Sequence, residues 1–181
     1  IALQFYLKTV HEDPLLDKAW IAITDFYIRQ KNFQKALYYV NKAIGIDNEN
    51  KLYWKRYGAI NKQLSFFEEA EYGYRKAVEF GDYQLDTWLF WVDILQFLGE
   101  FESAVQTLLQ ASEYFPEEYE VEYRLAGLYY MLHDEAKGKV HLSNGLRLNF
   151  NNRTVLEELF PVVWNTKTIQ SQIEKYQKLN G

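Results

Sequence analysis

The sequence predicts an all-α, right-handed superhelical solenoid of antiparallel helix pairs, and three observations carry that expectation. Trp20, Trp54 and Trp88 stand 34 residues apart, and a fixed spacing of this size marks a repeat architecture. Between them apolar residues recur at helical spacing, first as Trp20, Ile23 and Tyr27, then as Ala36, Val40 and Ala43. Only 3 Pro and 9 Gly among 181 residues leave few of the breaks that a many-stranded β protein needs.

Taken in order, residues 1–16 come first. Ala2, Tyr6, Thr9 and Pro14 sit 34 residues ahead of Ala36, Val40, Ala43 and Asn48, which makes this segment the second helix of a truncated repeat. With no initiator Met, the chain is expected to be a fragment of a longer protein, and any targeting signal would lie upstream. Segments 17–50, 51–84, 85–118 and 119–152 are then four repeats, each a helix hairpin. The columns Ala36, Ala70, Ala104, Gly138 and Ala43, Ala77, Ala111, Gly145 admit only small side chains, so two helix axes approach there while aromatics fill the wider gaps. Lys31-Asn32, Ser65, Gly99 and His133-Asp134 break the chain within repeats, and Asp47-Asn48, Gly81-Asp82, Phe115-Pro116 and Asn149 to Asn152 break it between them.

Segment 119–152 diverges, with Glu122 in the tryptophan column and glycines for both alanines, and looser helices are expected there. In 153–181, Leu156, Leu159, Phe160 and Val163 continue the first-helix phase, Pro161 should kink it, and Ile169, Ile173 and Tyr176 mark a polar-faced capping helix. A lone hairpin cannot bury its stripe, so all segments should stack as one solenoid domain.

The repeat resembles the tetratricopeptide repeat (TPR). Trp88, Leu95, Gly99, Ala104, Leu108, Ala111 and Pro116 fall in that family's phase, as do Trp54, Tyr57, Gly58, Ala70, Tyr74 and Ala77. The resemblance implies a concave groove lined by first helices, and a non-catalytic scaffold that receives a protein or peptide there. One TPR subclass grips chaperone C-termini with lysines and asparagines. Here Lys55 suits the first lysine, but Ala59 and Phe90 stand where asparagines belong, which disfavours that ligand.

Other function classes fare worse. A net charge of −5 argues against a nucleic-acid partner. The apolar run Trp88-Leu89-Phe90-Trp91-Val92 is far shorter than the roughly 20 residues that span a bilayer. The absence of cysteine excludes thiolate chemistry and disulfides and fits either a reducing cytosol or a compartment where thiols are avoided, so the compartment stays open with a cytoplasmic setting favoured. His11, His133 and His141 form no constellation with the paired glutamates Glu68-Glu69, Glu117-Glu118 and Glu157-Glu158, since neighbours on a helix diverge by about 100°. Phosphate-cradling and zinc-binding motifs are also missing, so neither a cofactor nor catalysis is expected. An enzyme or enzyme-associated subunit with an unrecognised site, or a self-assembly module, is the alternative. Asn152-Arg153-Thr154 matches a glycosylation acceptor, but asparagine already suits the turn there.

A helical wheel places Lys18, Ile21, Asp25 and Ile28 away from the buried stripe, and stepping by the repeat gives the groove columns. Their candidate partner-binding residues are Leu52, Lys55, Lys62, Asp86, Leu89, Asp93, Tyr123 and Tyr130. Exposed apolar groups at Leu52, Leu89, Tyr123 and Tyr130 would form a docking surface. Segment 85–118 carries seven acids and no Lys or Arg, an acidic band beside Lys55 and Lys62 that would orient a bipolar segment. The half-repeat at 1–16 leaves Leu3 and Tyr6 without a preceding helix, so self-association through that face is expected.

Overall fold

The computed structural model of the chain describes residues 2–180, and among them every regular element is a helix. The chain divides into two compact units, Ile1–Leu98 and Gly99–Gly181. The first unit holds α1 (Ala2–Glu12), α2 (Asp17–Arg29), α3 (Phe33–Ile46), α4 (Lys51–Gln63), α5 (Phe67–Glu79) and α6 (Leu85–Phe97). The second holds α7 (Phe101–Tyr114), α8 (Tyr119–Met131), α9 (Glu135–Leu148), α10 (Thr154–Leu159), α11 (Pro161–Trp164) and α12 (Lys167–Asn180). First helices open at Asp17, Lys51, Leu85 and Tyr119, and second helices at Phe33, Phe67, Phe101 and Glu135, each one repeat after the last.

The turns explain this regularity. Lys31, Ser65, Gly99 and His133 occupy one repeat position, and all four have φ between 54° and 78°. That left-handed residue ends a helix by letting the next amide reach back across the last turn. Asn32 N, Phe66 N and Asp134 N accordingly donate to Tyr27 O, Asn61 O and Tyr129 O at 2.8–2.9 Å. Asn32 then caps α3, its side chain accepting from Lys35 N at 3.2 Å, and Asp134 caps α9 through Lys137 N at 3.1 Å. His133 is therefore an exposed turn residue, which accounts for it without a ligand role.

Tryptophan fixes the entry to a repeat in the first unit. Trp20 Nε1 donates to Pro14 O at 2.8 Å and Trp54 Nε1 to Asn48 O at 2.7 Å, each reaching six residues back into the preceding turn. Ala36, Val40 and Ala43 form a fully buried seam with Tyr53 and Ile60, against which Trp20, Tyr27, Phe33 and Trp54 pack. Val10 of α1 joins Ala19 and Ile23 in a further cluster that Leu3 and Tyr6 flank.

The second unit closes differently. A Cβ on Gly138 would meet the Tyr130 ring at 2.8 Å, and one on Gly145 would meet the Tyr123 ring at 2.8 Å. The glycines are thus filled by rings from the facing helix, and the expectation of looser packing in this repeat is not met. Glu122, in the tryptophan column, accepts from Asn144 Nδ2 at 3.1 Å and lies 2.8 Å from His141 Nδ1, whose ring stacks on Tyr129. At Phe160 (φ −135°) the helix stops altogether, and Pro161 opens α11. Pro lacks an N–H and its ring clashes with the preceding turn, so the expected kink becomes a break. Leu156, Phe160, Val163, Ile169 and Ile173 are buried there, while Leu159 stays at the surface.

Candidate functional site

In the unit 1–98, α2, α4 and α6 carry the groove columns, and charged side chains link neighbouring first helices. Arg56 of α4 holds Asp25 of α2 through two hydrogen bonds, the longer at 3.2 Å. Lys55 Nζ lies 2.9 Å from Asp86 Oδ1 and 3.7 Å from Asp82 Oδ2, and reaches Gln84 Oε1 at 3.3 Å. Asp82 is almost wholly buried and also accepts from Thr87 Oγ1 at 3.0 Å. Lys55 therefore neutralises an interior carboxylate, so it is committed to the fold. Asp82 and Arg56 lie outside the groove columns, and Asp25, which stands in one, gives no sign there of its pairing with Arg56, because each contact depends on which helices become neighbours.

The remaining candidates divide. Leu52 is 48% exposed. Lys62 Nζ sits 5.5 Å from the centroid of the Phe90 ring, a cation–π arrangement in which Phe90 remains 37% exposed. Asp86 is exposed, and Asp93 is half-buried near Tyr74. Burial pushes the Tyr74 phenol well above its usual range, and the negative charges of Asp93 and Asp86 add to that effect. Phe90 stands outside the groove columns, and its place on an exposed face required the helix arrangement.

Two candidates are corrected. Leu89 is 8% exposed, because α6 is apolar nearly all round and such a helix is drawn inside. Tyr123 is fully buried: its ring packs at Gly145 and its hydroxyl donates to Asn149 O at 2.8 Å. The helix wheel assigned Tyr123 to open groove, but in the unit 99–181 α10 packs on α8 and the Phe160 ring abuts Gly127. Tyr130 is half-buried beside a cavity of about 400 Å³ that Met131, His133, Val162 and Val163 also line.

Among the described residues no group of His, Asp and Glu is placed to hold a metal ion. No helix among them is long and apolar enough to cross a membrane. His141 is engaged with Glu122 across α8 and α9, and His11 is exposed on α1.

An all-α array of helix hairpins in a 34-residue phase, with ion pairs tying neighbouring first helices, defines a TPR-like fold. Comparison with solved structures agrees: the chain superposes on YrrB, described as a TPR protein with an unusual peptide-binding site, with a TM-score of 0.73. That match covers 97% of this chain and 92% of YrrB at 13% identity, so it speaks to the fold alone. In sequence, the chain is 32% identical over 94 residues to human crooked neck-like protein 1, covering 52% of this chain and 11% of that protein. It is 29% identical over 90 residues to the pre-mRNA-splicing factor CLF1 of Candida glabrata, covering 50% of this chain and 13% of that protein. No protein-family model matches the sequence.

Proposed function

We propose that this chain is a non-catalytic protein–protein interaction module that receives a protein or peptide partner on the first-helix face of the unit 1–98. The observation that carries this reading is Lys62 of α4 seated over the exposed Phe90 ring of α6, with Leu52 exposed ten residues earlier on α4. It combines two exposed large apolar side chains with a lysine that no acidic side chain among the described residues pairs. Interface hot spots are enriched in aromatic side chains, and exposed apolar groups rimmed by polar ones mark interaction sites. The fold neighbour described as having a peptide-binding site supports a peptide-sized ligand. The partial likeness to a protein described as a pre-mRNA-splicing factor makes splicing components the first partners to test.

The test is affinity capture of the full-length protein from its native lysate, repeated with Lys62→Glu combined with Phe90→Ala. A stable co-purifying protein whose recovery falls at least tenfold in the variant, with melting nearly unchanged, supports the proposal. A partner retained fully by the variant, or turnover of a small molecule without any partner, overturns it.

A further inference from the structure

In the unit 1–98, a cavity of about 370 Å³ opens between the ends of α2 and α4, lined by Ile28, Arg29, Lys31, Phe33, Ala59, Ile60 and Gln63. This lies within the usual size of a ligand pocket, roughly 300–1,000 Å³. Ile28 and Ala59 belong to the groove columns, so the cavity sits at the turn end of the face assigned above. Its floor is apolar, and Ile28, Phe33 and Ile60 also pack on the core seam.

The next repeat shows what fills such a place. One period on, Phe33 becomes Phe67 and Gln63 becomes Phe97, and the rings of Phe67 and Phe97 lie against each other with centroids 3.9 Å apart. An aromatic ring on the later first helix thus covers the phenylalanine that opens the earlier second helix. At the first level the covering residue is the exposed Gln63, and the Phe33 site is left open. The rim is cationic: Arg29 and Lys31 are both exposed, no acidic residue lines the cavity, and none among the described residues pairs with either.

We infer that this cavity receives an aromatic side chain from an acidic segment of a partner protein. The ring takes the place against Phe33 that Phe97 takes against Phe67. Carboxylates on either side of it meet Arg29 and Lys31, which forfeit no existing ion pair in doing so. This rests on the interaction-module reading and gives its partner a chemistry.

The probe is a fluorescein-labelled Glu-Asp-Glu-Phe-Asp-Glu peptide, titrated against the full-length protein at low salt and followed by fluorescence anisotropy. Saturable binding is expected, weakened at least tenfold when the peptide's Phe becomes Ala and when its acids become lysines. Gln63→Phe, which supplies the missing ring from within, should weaken binding at least tenfold with melting unchanged or raised. Gln63→Leu is the second filling variant should the first not fold. Arg29→Glu with Lys31→Glu should abolish binding without touching the floor. No saturable binding, or equal binding by the filled variants, overturns the inference. So does a concentration-dependent dimer that Gln63→Phe dissolves, since a second copy would then be the occupant. Native capture separates the two proposals: a partner that Gln63→Phe retains but the Lys62 and Phe90 variant loses leaves the module standing and removes the pocket.

Discussion

The two units solve one packing problem with opposite chemistries. In 1–98 the helix entry is held by an indole, with Trp20 and Trp54 each tied to the turn before their helix, and alanines let the axes approach. In 99–181 the tryptophan column holds Glu122, satisfied by His141 and Asn144, and the bulk has moved to Tyr123 and Tyr130, whose rings rest where glycines replace alanines. The lesson is that a repeat conserves the sum of volumes across a helix pair more strictly than the residue at any one position. In the divergent unit α10 also packs on the first helix α8, which buries Tyr123, whereas Leu52 and Phe90 of the first unit stay exposed.

Truncating the two bulky anchors should break the comparison most severely. Trp88→Ala in one unit and Tyr123→Ala in the other should each cost about 3–5 kcal/mol in chemical denaturation, since both side chains are buried. A Tyr123→Ala chain that melts like the parent would restore Tyr123 to an open groove. Next in size is Lys55→Met, which leaves Asp82 in the interior without its cation and should cost about 2–3 kcal/mol. Restoration of stability by adding Asp82→Asn would identify the buried carboxylate as the cause.

The fold was legible because its signal is periodic. Three tryptophans and four turn residues, both series recurring every 34 residues, fix the hairpins, and the small columns say where axes meet. What could not be read is everything set by neighbours. The wheel treats Lys55, Leu89 and Tyr123 as one column, yet one neutralises Asp82, one sinks into an apolar helix and one is buried in a unit where α10 covers α8. That Gln63 and Phe97 face Phe33 and Phe67 likewise requires knowing which turn of one repeat meets which helix of the next.

Smaller effects sharpen the contrast. Gly138→Ala should destabilise by about 1–2 kcal/mol despite alanine's better helix propensity, because its methyl would run into the Tyr130 ring. A double-mutant cycle with Tyr130→Leu should recover most of that loss. Tyr123 gives the same unit a pH signature. Burial raises its phenol well above the usual range, an effect that Tyr176 reinforces and Arg153 opposes. The neutral form is favoured on folding, so the stability it confers is intact below the unfolded value of about 10 and declines as pH rises beyond it. Tyr123→Phe should flatten the alkaline fall in thermal melting. Smallest of all, Ser65→Gly at its left-handed turn position should stabilise by about 0.5–1 kcal/mol, whereas the equivalent Gly99→Ser should do the reverse.

Hydrogen–deuterium exchange of the full-length protein, free and bound to its captured partner, addresses the central claim most directly. If the first helices of the ordinary repeats form the receiving face, binding should slow exchange within 17–29, 51–63 and 85–97 and leave the second helices α3 and α5 unchanged. Protection confined to α3 and α5, or to residues 99–181, would contradict the account.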